Sequence, residues 1–239
     1  GLDADSPERG LIGSSMGVGE VGLNLFYETR ETIALRRLAH NNAGFHEALF
    51  GLPASGPLPM LFVYNPLRLF VEVVEPDTEG FGHLTLSMND MHAPLPLLRY
   101  QSGDMARTIL PAEIRAACEG AGLPDPGPLP LPMVAIKGRD RDQLPDGSHV
   151  SQYKDALYAE ADVAARVTGA IRIETDGSEL IAHVQLRRDV EAPDDEIASC
   201  LASRFPGIKN SSQVRLWPYE AFPFGMTLDY ERKFTYWLG

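Results

Sequence analysis

The chain has 239 residues, a formal net charge of −12, and is 44% hydrophobic and 23% charged, the composition of an ordinary globular protein. The acidic balance argues against nonspecific attraction to DNA, RNA or anionic lipid, so neither a nucleic acid nor a membrane is expected as a partner. No apolar run approaches the ~18 residues of a membrane span, and the acidic, polar opening from Gly1 to Gly10 is not expected to act as a signal peptide. Cys118 and Cys200 form no CxxC pair; both read as small apolar residues in helical segments, which suits a reducing cytoplasm.

In chain order, the first feature is a glycine-rich stretch, Gly13-Ser14-Ser15-Met16-Gly17-Val18-Gly19-Glu20-Val21-Gly22. Such a stretch lets backbone amides approach phosphate closely, and it equally suits a tight turn between core strands. Its spacing matches neither the P-loop nor the dinucleotide fingerprint. A helix is expected from about Thr29 to His40, with Arg36, Arg37 and His40 near its C-terminal end, where the dipole favours cations. Gly51 and Pro53 break the chain, and strands follow over Leu61 to Tyr64 and Leu69 to Glu75. After a turn at Pro76 to Gly80, His83 to Ser87 returns as a hairpin partner. Leu98 to Asp104 leads out through Ser102-Gly103-Asp104, read as a turn whose carboxylate can accept two hydrogen bonds from a ribose diol, or as an ordinary turn.

Pro111 opens a short helix that Gly120 and Gly122 close. Leu123 to Pro132 has five prolines in ten residues and reads as an extended linker or domain edge. A strand from Met133 to Ile136 then runs into the charged turn Gly138-Arg139-Asp140-Arg141-Asp142. Beyond it, Val150 to Ala165 reads as mostly helix, and Asp176-Gly177 as the turn of a hairpin. On that hairpin's second strand Leu180, Ala182, Val184 and Leu186 alternate with Ile181, His183, Gln185 and Arg187. A helix from Asp194 to Phe205 and a strand from Gln213 to Trp217 complete the pattern. None of the six histidines has metal-ligand spacing, and none is assigned a role.

Taken together and in order, three stretches resemble the phenylacetate–coenzyme A ligase branch of the adenylate-forming superfamily. The resemblance is densest over Leu58 to Thr108, ending in Pro96-Leu97-Leu98-Arg99-Tyr100-Gln101-Ser102-Gly103-Asp104, where the family has a second Arg in place of Gln101 and a Thr in place of Ser102. Gly17-Val18-Gly19-Glu20 looks like the family's Tyr-Gly-x-Thr-Glu loop, and Gly138 to Asp142 looks like its Gly-Arg-x-Asp-Asp hinge. The resemblance implies an α+β chain in two parts. Residues 1–137 would be the C-terminal part of a large AMP-binding domain with a small β-rich subdomain, and 138–239 a small mobile domain.

It also implies roles. Glu20 would hold Mg2+ on the phosphates of ATP, Met16 would pack on adenine, and Gly17 and Gly19 would border the nucleotide and the carboxylate substrate. Asp104 would bind the ribose hydroxyls, Arg139 would reach the ribose or phosphate, Arg141 would be the hinge residue, and Lys233 would be the catalytic lysine. The reaction would join a small aryl or acyl carboxylate to the α-phosphate, then pass the acyl group to coenzyme A or another acceptor. Charge develops on phosphate oxygens, so magnesium and cationic side chains would carry most of the stabilisation. The family's phosphate-binding loop belongs to an N-terminal portion, a missing partner on this reading; a homodimer is also expected. Gly19 in place of a hydroxyl residue, Arg141 at the hinge, and Lys233 without its preceding Gly favour a rival, a degenerate relative that binds nucleotide or protein.

Overall fold

The computed structural model describes residues 10–88, 97–177, 179–190, 195–224 and 236–238. It is a mixed α+β structure of two compact units, Gly1–Asp140 and Arg141–Gly239. Among the described residues no helix is long and apolar enough to cross a membrane.

The first unit is built on seven antiparallel strands: β1 (Ser15–Val18), β2 (Gly22–Tyr27), β3 (Met60–Tyr64), β4 (Leu69–Val74), β5 (Gly82–Met88), β6 (Tyr100–Ile109) and β7 (Met133–Arg139), in the order β1-β2-β3-β7-β6-β5-β4. The two-residue period of β3 and β7 explains why they are central. Leu61, Val63, Met133 and Ala135 enter one core, and Phe62, Tyr64, Val134 and Ile136 enter the core on the opposite face.

Helices α1 (Arg30–Asn41), α2 (Ala43–Phe50) and α3 (Pro111–Gly120) cover the first face with Leu35, Phe45, Leu49 and Ile114. A reciprocal capping box between Thr29 and Thr32 starts α1, and Pro111 takes the first turn of α3. The sequence pattern passed over α2, whose signals are its ends: Asn42 Oδ1 accepts from Phe45 N at 2.9 Å, and Gly51 closes it at φ 68°.

The other face is covered by the chain's own hairpin. β2 pairs with β3 through Phe26–Tyr64 and Tyr27–Val63, at its C-terminal end. Val18 and Val21 at the far end of the β1–β2 hairpin share a core with Leu84, Leu86 and Ala106 of β5 and β6. The glycine-rich stretch is therefore a strand–turn–strand, the second of the two forms its composition allowed. The proline-rich stretch also differs from its linker-like reading. Leu129 is buried, with Leu123 and Leu131 packed beside it on the helical core, so its apolar residues hold it against the unit and feed the chain into β7.

The second unit has a four-stranded sheet of β8 (Val167–Asp176), β9 (Glu179–Leu186), β10 (Val214–Trp217) and β11 (Trp237–Leu238), ordered β10-β9-β8-β11. β8 and β9 are antiparallel, while β10 and β11 run parallel to their neighbours. Ile171, Ile173, Ala182, Val184 and Leu186 pack beneath α4 (Val150–Tyr158), α5 (Ala161–Ala164) and α6 (Asp195–Ala202). Leu180, Ala182, Val184 and Leu186 of β9 enter this core as their alternation indicated, but Ile181 and His183 on the other face are buried too, so burial itself does not alternate. Tyr153 lies wholly inside and donates its hydroxyl to the Pro206 carbonyl, and burial pushes its phenol up to about 12.

Candidate functional site

Close approach sets Gly17 but not Gly19. A Cβ on Gly17 would stand 2.8 Å from the Gly22 carbonyl oxygen and 2.9 Å from Leu23 Cα, so a side chain there would force the two strands apart. Gly19, at the exposed tip, meets nothing within 4 Å. Met16 pairs with Phe26 and packs half-buried against the core beneath the hairpin. With Val18 and Val21 fixing the tip, exposed Glu20 reaches the start of β6, where its carboxylate accepts a hydrogen bond from the Tyr100 hydroxyl. Loss of water contact first, then this carboxylate, hold the Tyr100 phenol above its ordinary range.

Asp104 lies on the same strand, and here the expectation of a turn is corrected. Thr85 pairs with Gln101 and His83 with Met105, so Ser102, Gly103 and Asp104 stand against Leu84 alone. The result is a bulge inside β6, made possible by Gly103 at φ 80° and tied by Asp104 N donating to Ser102 Oγ at 3.3 Å. Bulges bend a strand and re-aim a side chain, which is how a carboxylate in a continuous sheet comes to project as if from a turn. Asp104 is nearly buried, and its register partner across the sheet is Arg139 of β7. The Arg139 Nε lies 3.5 Å from Asp104 Oδ1, an ion pair longer than a good charge-assisted hydrogen bond.

β6 is the strand on which the separate stretches meet: its Tyr100 takes Glu20, and its Asp104 takes Arg139. Arg139 ends β7 in the first unit, whereas Arg141 opens the second, in a 3-10 turn over Asp140–Asp142 with its Nε 4.0 Å from Asp142 Oδ1. Lys233 lies outside the described residues. The sequence reading gave Tyr100 no role. The signal it could have used is position, four residues before Asp104 on one strand, but the partner was hidden in the curl of the hairpin.

The donor set bears on what the site can hold. Among the described residues no group of three or more His, Cys, Asp or Glu converges as a metal cage. A lone carboxylate at Glu20 fits a magnesium ion whose other ligands are phosphate oxygens and water, the usual state of that ion on a nucleotide. Asp104 has acceptor capacity beyond the oxygen that Arg139 faces, as a diol requires. A cavity of about 230 Å3 in the second unit, lined by Glu160, Arg166, Glu196 and Cys200 among others, includes none of these residues.

No protein-family model and no curated protein matches the chain. Among solved structures, it is similar to a GH3.15 acyl acid amido synthetase at 13% identity and a TM-score of 0.41, over 75% of this chain and 36% of that one. The chain thus spans well under half the length of that structure.

Proposed function

We propose that this chain is the C-terminal part of an adenylate-forming ligase that activates a small carboxylic acid with ATP and magnesium. The acyl-adenylate then passes its acyl group to coenzyme A or another acceptor, in the cytoplasm. One observation supports the reading: the loop of Glu20 and the strand end of Arg139, far apart in sequence, both contact β6, at Tyr100 and at the Asp104 bulge.

In this reading Asp104 binds the ribose diol, and Glu20 exchanges the Tyr100 hydroxyl for the metal ion on the phosphates. Met16 and the hairpin glycines border adenine and the acid. When bound, magnesium supplies charge neutralisation at the phosphates. Arg139 is drawn from Asp104 toward the nucleotide, and Lys233 supplies a second cation. A further N-terminal portion of the same enzyme carries the phosphate loop and the rest of the acid pocket, so adenylation needs that portion. An apolar surface left without it favours self-association of this chain.

The test is ATP–pyrophosphate exchange by the parent polypeptide over a panel of aryl and fatty acids, with and without Asp104→Asn. Exchange that depends on an acid and falls with the substitution supports the reading; exchange indifferent to Asp104 refutes it. A second reading has its own observation. Glu20 and Asp104 are already satisfied within the fold, by Tyr100 and Arg139, as expected of a degenerate relative that binds nucleotide or protein without turnover. Nucleotide binding without exchange would select it.

A further inference from the structure

The helices of the second unit cover one face of its sheet; the opposite face carries a row of charge. Arg172 of β8, His183 of β9 and Arg215 of β10 are register partners, one beside the next. Glu174 and Trp217 stand diagonally next to His183, which is itself 2% exposed. Both imidazole nitrogens are occupied. Trp217 Nε1 donates to His183 Nδ1 at 3.0 Å, and His183 Nε2 lies 3.1 Å from Glu174 Oε2. An indole N–H can only donate, so Nδ1 must carry a lone pair, and the proton sits on Nε2, directed at Glu174. This arrangement exists only for neutral histidine.

After Trp217 the chain turns back over this face. Gln185 Nε2 donates to the Tyr219 carbonyl at 2.8 Å, the Phe224 ring stands 4.9 Å from the His183 ring, and the Arg172 guanidinium lies 5.0 Å from the centre of Phe224. From β10 at one edge, the stretch crosses β9 and reaches β8. Later in the chain Trp237 pairs with Ile173 of β8 and donates its Nε1 to Thr175 Oγ1 at 3.3 Å. Phe224 and Trp237 are therefore both held on β8.

We propose that His183 is an acid-sensitive latch: neutral, it holds the Trp217–Phe224 crossing on the sheet, and protonation of Nδ1 releases it. The proton comes from solvent and takes the lone pair that Trp217 uses, so the indole loses its acceptor. The new cation would then stand between Arg172 and Arg215, with Glu174 as the only facing carboxylate among the described groups. Burial holds the imidazole below its ordinary 6.5, Glu174 opposes that, and the two arginines reinforce it.

The test reads the latch without activity. The two tryptophan indole N–H signals are followed by NMR from about pH 8 to about pH 4.5, across the range where histidine titrates. The Trp217 signal should shift with one midpoint below 6.5, and Trp237 should not follow it. In His183→Gln, whose amide can accept from Trp217 and donate to Glu174, the transition should vanish. At neutral pH, Trp217→Phe keeps an aromatic ring, smaller than the indole, and removes the donor. Its amides over 219–224 should exchange about fivefold faster than in the parent chain, the factor an ordinary hydrogen bond contributes, while His183→Gln should match the parent. A Trp217 signal that stays fixed in the folded chain, a transition that survives in His183→Gln, or unchanged exchange in Trp217→Phe would each overturn the latch. Absence of adenylation would count only against the proposed function.

Discussion

Replacing Asp104 with Asn separates a binding role from a structural one, because the structure sets different magnitudes for the two. Among the described residues its carboxylate pairs with Arg139, with Nε at 3.5 Å and an arginine side chain 26% exposed. A pair of that length and wetness contributes about 0.2–1 kcal/mol, as partly exposed pairs do. Asn keeps the volume, and the bulge is tied through Asp104 N and Ser102 Oγ, which the substitution leaves alone. The thermal midpoint should therefore fall by at most about 5 °C. Hydrogen bonds from a ribose diol to an ionised carboxylate are worth about 1.5–3 kcal/mol, so AMP affinity should fall roughly 10- to 150-fold.

The assay is titration calorimetry with AMP on the 239-residue chain, for the parent, Asp104→Asn, Arg139→Gln and the double variant. The loss from Asp104→Asn should persist in the Arg139→Gln background, since the diol binds the carboxylate directly. Equal AMP affinity in the parent and Asp104→Asn would refute the ribose role. Loss of the effect once Arg139 is Gln would show that Asp104 acts only by holding the arginine.

The hairpin glycines should part ways. Gly17→Ala should lower stability by about 1–3 kcal/mol by overpacking the strand crossing, whereas Gly19→Thr, in open space at the tip, should stay within about 0.5 kcal/mol; urea melts compare them, and equal losses would refute the close-approach account. His46 is buried against Phe50, and its Nε2 has no hydrogen-bond partner among the described residues. Burial lowers its proton affinity against a smaller opposing effect of Glu47. The unfolded chain then binds the proton more readily, so stability should fall as pH drops below 6.5. His46→Leu should reduce that fall, and urea midpoints at neutral and mildly acidic pH that shift equally in both proteins would count against it. Tyr153→Phe should cost about 1–3 kcal/mol by stranding the Pro206 carbonyl, and a melt unchanged by the substitution would show that the carbonyl finds another donor.

Local chemistry determined much of this protein before any contact was known. Thr29 and Pro111 start their helices through caps and first-turn geometry that depend only on near neighbours. The alternation in β9 declared its two faces, one for the helices and one for His183 and Gln185. The α+β class follows from such periods, which are properties of a few consecutive residues. Register and long-range packing decided the rest. Ser102-Gly103-Asp104 has the composition of a turn, and only pairing with β5 on one side and β7 on the other makes it a bulge within a strand. Leu123 to Pro132 has the composition of a linker, and only a core waiting for Leu129 buries it. Glu20 meets Tyr100 because the far end of the β1–β2 hairpin packs on β5 and β6, and His183 holds Trp217 because β10 lies beside β9. Each of these contacts joins residues distant along the chain, and no local period encodes which distant strand will be the neighbour.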